Sequence, residues 1–238
     1  GSSDLAATGD APPAFAQAAQ ADLVYLAHSP ANPKTEAIVV PEQSAIHSVA
    51  DLKGKRVGLN KGSDVNYLLV AALEKAGLSY KDITPVYLPP ADARAAFQRG
   101  AIDAWVIWDP FLAEVETNAK ARQIRNAEGL VPHYTFYLAS RKFADTYPET
   151  AKQVVDELGK LSAWANSHQD EAAGLLSTST GLDKAIWLKT LARLPYGAER
   201  MTPAVYNEQQ ALADTFTRIG LLPVKVDVRS ATWSLDKP

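Results

Sequence analysis

Residues 56–107 read RVGLNKGSDVNYLLVAALEKAGLSYKDITPVYLPPADARAAFQRGAIDAWVI, and this stretch decides the fold class. Three short β-type runs, at 56–59, 83–88 and 103–107, alternate with two amphipathic stretches at 64–76 and 91–99. Each helical stretch stops at a glycine, Gly77 or Gly100, the residue that most easily ends a helix. Strands separated by helices imply parallel pairing in an α/β sheet, because a parallel partner is reached only by a crossover. Upstream, 4–8 reads as a short buried strand and Ala11-Pro12-Pro13 opens a helix reaching Ala19. Strands are expected at 22–27 and 36–40, and one helical turn at 48–52, stopped by Gly54. Downstream of Arg141 helical periodicity dominates to Phe216, with breaks near 177–181 and 195–203. Residues 224–228 read as a last extended piece, and Trp164 and Trp187 read as core.

Composition narrows the functional classes. The 238 residues carry 24 Lys+Arg against 27 Asp+Glu, a net charge of −3. Hydrophobic residues make up 47% and charged residues 21%, which fits a packed globular protein and not a disordered one. No basic block offers itself to nucleic acid. No apolar run is long enough to cross a bilayer. Cysteine is absent, so disulfides, thiolate metal sites and cysteine nucleophiles are excluded together. His28, His47, His133 and His168 show no metal-ligand spacing, and neither a nucleophile elbow nor a P-loop occurs. The residues call for no cofactor, no metal and no catalytic group.

Binding is better signalled. Gly62-Ser63-Asp64-Val65-Asn66 lies between a strand and a strongly amphipathic helix, with Ser63 or Asp64 placed as N-cap. Thr8-Gly9-Asp10-Ala11 has the same layout before the earlier helix. Such starts present unpaired N–H groups and the positive end of the helix dipole to small oxyanions. Ser63 and Asn66 are expected to add side-chain donors, with Asp64 turned inward as a cap. The alternative at each loop is ordinary capping, with Asp10 and Asp64 accepting from backbone N–H groups. Trp105-Val106-Ile107-Trp108-Asp109-Pro110 places Trp105 and Ile107 on one strand face and Val106 and Trp108 on the other. Trp105 reads as core, whereas Trp108 stands at the strand's carboxyl end, where ligands collect in open α/β sheets. Tyr134 opens a further aromatic stretch, Tyr134-Thr135-Phe136-Tyr137, with one or two rings near a ligand. An offset of 99 residues carries Gly1, Asp4 and Asp10 onto Gly100, Asp103 and Asp109. If the halves share one plan, the first lacks the strand, helix and strand that precede the second copy.

Several of these segments occur together, and in this order, in one family. Ala7-Thr8-Gly9-Asp10-Ala11-Pro12-Pro13, Val49-Ala50-Asp51-Leu52-Lys53-Gly54-Lys55-Arg56-Val57, Gln98-Arg99-Gly100-Ala101-Ile102-Asp103-Ala104 and Trp108-Asp109-Pro110 resemble the nitrate/sulfonate/taurine group of periplasmic substrate-binding proteins serving ABC transporters. The Thr-Gly-Asp-Ala-Pro-Pro string is most similar to the aliphatic sulfonate-binding branch. The resemblance implies a two-lobed α/β protein of the type II-like periplasmic class, with mixed sheets, flanking helices and a helical C-terminal third. Residues 1–45 would form an incomplete first lobe, 46–130 the second, and 131–238 the return to the first with the C-terminal helices. The family ordinarily carries a further stretch before the position of Gly1. By resemblance, Gly9, Asp10 and Ala11 would line one wall of the ligand site. Ser63, Asp64, Val65 and Asn66 would form the other, with Trp108 and Asp109 beside it. The implied ligand is an alkanesulfonate, the implied partner an ABC permease in the inner membrane, and the implied place the periplasm, for a monomer whose signal peptide is not in this chain. Taurine, nitrate or another small anion is the alternative within the family. A thiamin-pyrimidine-precursor protein on the same fold is the alternative outside it.

Overall fold

The structure is a computed structural model and describes residues 3–233. In chain order its strands are β1 (Leu5–Thr8), β2 (Leu23–His28), β3 (Glu36–Val40), β4 (Arg56–Leu59), β5 (Thr84–Tyr87), β6 (Ala104–Trp108), β7 (Arg122–Asn126), β8 (Phe136–Ser140) and β9 (Glu199–Arg200). The helices are α1 (Ala11–Ala18), α2 (Asp64–Lys75), α3 (Pro90–Gln98), α4 (Phe111–Asn118), α5 (Arg141–Thr146), α6 (Pro148–Ser167), α7 (Gln169–Thr180), α8 (Lys184–Leu191) and α9 (Pro203–Arg218). Single 3-10 turns form at Val49–Leu52, Tyr80–Asp82 and Val228–Ala231. The chain divides into two compact units. One contains the chain up to Asn32, His133–His168 and the chain from Pro195 onward; the other contains Pro33–Pro132 and Gln169–Leu194. The boundaries expected at 45/46 and 130/131 therefore fall at 32/33 and 132/133. Residues 169–194, expected in the first lobe, belong to the second unit. The reason is β3, which is wholly buried beside β6 and so brings residues 33–45 into that unit's sheet.

The second unit is built on a five-stranded sheet of order β5-β4-β6-β3-β7. The expected parallel pairing holds for β5, β4 and β6, whereas β3 runs antiparallel to both β6 and β7. The alternation along β6 fills two cores. Val106 packs with Leu68, Leu69 and Leu73 of α2 on one face. Trp105 and Ile107 pack with Phe97 of α3 and Leu112 of α4 on the other. Each such fully buried side chain contributes about 1.5–3 kcal/mol relative to exposure. Gly58 in β4 meets a close neighbour: a Cβ there would collide with Ile102 Cδ1. Trp187 is not core; it lies half-buried on α8, donating Nε1–H to Thr180 Oγ1 at 2.9 Å.

The first unit holds an all-antiparallel sheet of order β1-β8-β2-β9. Val24, Leu26 and Ala139 pack on one face with Ala151 and Val155 of α6 and with Trp233. Tyr25, on the opposite face, sits edge-on to Phe136 at 5.0 Å and to Tyr206 of α9 at 5.8 Å. Three expectations fail here. β1 is a half-exposed edge strand and not a buried one. Trp164 is half-buried and stacks on His168, because the second half of α6 buries no residue. Residues 224–227 form no strand; among the described residues one backbone bridge, Tyr25–Thr232, joins the chain beyond them to the sheet. Of the internal repeat, Gly1 lies outside the described residues. Asp4 and Asp103 each stand one residue before a strand, and Asp10 and Asp109 each stand just before a helix, as the offset requires.

Candidate functional site

In the second unit the loop from Asn60 to Ser63 delivers the chain from β4 into α2. Gly62 turns with φ +67°, a conformation that a side chain would oppose. Ser63 is the N-cap in extended conformation, yet no side-chain capping bond is formed. The N–H groups of Asn66 and Tyr67 return to Ser63 O at 3.0 and 3.4 Å. The first-turn amides before them lie beyond reach of any intrahelical carbonyl and carry the positive end of the helix dipole. This is the chemistry expected of an oxyanion-binding start.

The side chains behave differently from expectation. Ser63 Oγ donates its proton to Asn60 O at 2.6 Å, so it closes the loop and does not point a donor outward. Asn66 is fully buried. Its Oδ1 accepts the Gly62 N–H at 3.1 Å and its Nδ2 donates to Tyr80 Oη at 3.2 Å. What the α2 start offers is therefore backbone, held in place by Ser63 and Asn66. Asp64 and Val65 occupy the first turn, with Val65 buried in the α2 core and Asp64 half-exposed.

At the end of β6, Trp108 is half-buried, touches both cores of the sheet and stands edge-on to Phe111 at 6.3 Å. Asp109, next to it, is not a free ligand group. Its carboxylate is 2% exposed, accepts the Ala113 N–H at 2.8 Å, and faces Arg193 Nη1 at 3.3 Å. Arg193 makes its shorter contact with Glu116, which also takes Lys189 Nζ at 2.8 Å and Gln123 Nε2 at 2.6 Å. Burial pushes the Asp109 carboxyl up to about 6, and the distant Arg193 offsets this only in part. For Glu116 burial acts in the same direction, but hydrogen bonds from Lys189, Arg193 and Gln123 outweigh it and hold the carboxyl below its ordinary value. Asp109 thus anchors the α8 region to α4 and β6.

In the first unit, Thr8 and Gly9 lead from β1 to α1, where Asp10 is a helical N-cap without a side-chain capping bond. Asp10 is buried, and its carbonyl accepts Gln209 Nε2 from α9 at 2.6 Å. Ala11 is buried directly behind it. Tyr134 lies before β8, edge-on to His28 at 5.1 Å, and donates its hydroxyl to Glu208. Sequence reasoning missed Arg193, Tyr80 and Gln209, which act on the candidate residues from distant segments, and Glu116, which holds Arg193 beside Asp109. Among the described residues there is no cluster of three or more His, Cys, Asp or Glu able to hold a metal ion. No helix among them is long and apolar enough to cross a membrane.

In the second unit the strand-to-helix turn presents backbone amides suited to a small anion, whereas at the α1 start Pro12 and Pro13 carry no N–H. Known proteins then fix the family. The family model for NMT1/THI5 like proteins matches residues 1–172, and the chain belongs to this family. An Escherichia coli (strain K12) protein described as aliphatic sulfonates-binding is 42% identical over 98% of this chain and 73% of its own length. The crystal structure of the periplasmic aliphatic sulphonate binding protein SsuA from Escherichia coli matches with TM-score 0.92 and 41% identity, covering 98% of this chain and 80% of that one. The alkanesulfonate-binding protein SsuA from Xanthomonas axonopodis pv. citri, bound to MOPS, matches with TM-score 0.90 and 42% identity, covering 97% and 80%.

Proposed function

We propose that this chain is the substrate-binding component of an ABC importer, which captures an aliphatic sulfonate in the periplasm and hands it to a membrane permease. The observation that carries this reading is the 42% identity, over 98% of the chain, to an aliphatic sulfonates-binding protein. The chemistry agrees. A sulfonate spreads one negative charge over three oxygens and is well served by converging backbone amides at the start of α2. The ligand-contacting residues are Thr8, Gly9, Asp10, Ala11 and Tyr134 in one unit and Ser63, Asp64, Val65 and Trp108 in the other, with Asn66 and Asp109 behind them. Tyr134 and Trp108 supply apolar surface for an alkyl tail, and the Asp109 carboxylate is engaged by Arg193. The protein acts as a monomer, binds without turnover, and with its net charge of −3 has no attraction for nucleic acid.

Isothermal titration with 1-butanesulfonate, ethanesulfonate, taurine and nitrate tests the reading. The alkanesulfonates should bind one per chain and be recovered unchanged. Ethanesulfonate and taurine differ by one ammonium group, so a clear preference for taurine would transfer the assignment to an amino-sulfonate. Binding of nitrate alone, or conversion of the ligand, would overturn it.

A further inference from the structure

Behind the α2 start runs a chain of hydrogen bonds whose members come from three elements of the second unit. The Gly62 N–H donates to Asn66 Oδ1 at 3.1 Å, and Asn66 Nδ2 donates to Tyr80 Oη at 3.2 Å. Tyr80 Oη lies 3.1 Å from Tyr87 Oη at the end of β5. The order fixes the direction. Because Asn66 must accept from Gly62, it turns its amino group to Tyr80. Tyr80 Oη thus accepts from Asn66 and shares a further hydrogen bond with Tyr87 Oη, in which either hydroxyl can donate; Tyr87 is 38% exposed and reaches solvent. Linked hydrogen bonds of this kind strengthen one another. From the loop's outer side Lys61 Nζ sits 5.4 Å from the centre of the Tyr87 ring, so both ends of the chain grip the same four-residue turn.

We infer that Tyr80 is a positioning residue of the sulfonate site. Its hydroxyl sets the orientation of the Asn66 amide, and that amide holds the Gly62–Ser63 turn in the shape that aims the α2 amides at the ligand. The inference rests on the sulfonate reading above. Gly62 adopts φ +67°, where its backbone is free to move, and Ser63 Oγ fixes only the Asn60 carbonyl. Without the Tyr80 oxygen, the fully buried Asn66 Nδ2 loses its acceptor. Rotating the amide to seek another would set its amino group against the Gly62 N–H, donor against donor. Either outcome loosens the turn.

The test compares wild type, Tyr80→Phe and Val155→Ala, the last being a core trimming in α6 of the first unit, where no member of this hydrogen-bond chain lies. For each protein, the 1-butanesulfonate dissociation constant is measured by calorimetry, the Gly62 amide exchange rate by NMR without ligand, and the melting temperature by scanning calorimetry. Tyr80→Phe should raise the dissociation constant about five- to twentyfold, the effect of one lost hydrogen bond, and speed Gly62 exchange at least about tenfold. Val155→Ala should lower the melting temperature while leaving both other readouts within about twofold, which separates positioning from stability. A Tyr80→Phe protein that binds as tightly as wild type, or whose Gly62 amide exchanges no faster, overturns the positioning role alone. A wild type that does not bind 1-butanesulfonate overturns the sulfonate reading and the positioning role with it.

Discussion

Asp109 accepts one backbone N–H and faces a guanidinium that leans toward Glu116, and this combination leaves its burial incompletely compensated. The carboxyl titrates near 6 in the folded chain, against roughly 3.9 in an unfolded one. Between those values the unfolded chain gives up its proton while the folded chain keeps it. Stability contributed by this residue therefore falls as pH rises from about 4 to 6, by roughly 2–3 kcal/mol in all, and stays low above that. Asp109→Asn keeps an oxygen for the Ala113 N–H and abolishes the titration. The wild-type minus variant difference in unfolding free energy, followed by urea melts from pH 4 to 7, should decline with pH; a flat difference would show that Arg193 neutralises Asp109 fully. Trp108, one residue earlier, carries a prediction about ligand. Trp108→Ala should weaken 1-butanesulfonate binding by about 1–3 kcal/mol in calorimetry, and an unchanged constant would assign the ring to packing between the two cores alone.

At the level of elements, β4 runs so close to the segment entering β6 that one methyl decides the fit. A Cβ on Gly58 would strike Ile102 Cδ1 but meet the other Ile102 carbons at 3.6 Å, an ordinary contact. Gly58→Ala should thus cost about 1–3 kcal/mol by overpacking. Ile102→Val, which removes that Cδ1, should cost about 0.5–1.5 kcal/mol alone. The double variant should be more stable than Gly58→Ala, an interaction of favourable sign in a urea-denaturation cycle; additive losses would mean the backbone moves and not the side chain. The elements that were legible in sequence share a local signal: α2 and α3 have apolar periodicity and a glycine stop, and β4 and β3 match their expected bounds to the residue. β7 and β9 were not legible. Arg122-Gln123-Ile124-Arg125-Asn126 has one apolar residue and is a strand only because β3 lies beside it, and Glu199-Arg200 only because β2 does. The opposite error arose at Val224-Lys225-Val226-Asp227-Val228, whose alternation is that of a strand. There Gln210 of α9 donates to Val226 O at 2.8 Å and accepts from the Val228 N–H at 2.9 Å, so a side chain takes the bonds a ladder would have used.

Over the whole molecule, sequence reading found two units but misplaced their seams, because an apolar strand such as β3 fits either sheet until its partner is known. The candidate site was half legible for the same reason. Helix starts announce their backbone amides locally, whereas the side chains' real partners, Tyr80 for Asn66, Arg193 for Asp109 and Glu208 for Tyr134, lie between 14 and 84 residues away. The proposed contacts fall into two sets, residues 8–11 with Tyr134 and residues 63–66 with Trp108, and each set is tested by itself. That distribution has a thermodynamic consequence. A ligand present at about 100 times its dissociation constant stabilises whatever it binds by about 2.7 kcal/mol, which slows exchange through the corresponding opening about a hundredfold. A ligand held by one unit confers that protection on one unit, since opening of the other does not release it. Hydrogen exchange with and without saturating 1-butanesulfonate should therefore show slowed amides at Gly9, Asp10 and Ala11, since Pro12 and Pro13 carry no N–H, and at Asp64 and Val65 in the first turn of α2. Protection confined to the α2 side would strike Thr8, Gly9, Asp10, Ala11 and Tyr134 from the site and leave a sulfonate held by the second unit's backbone amides.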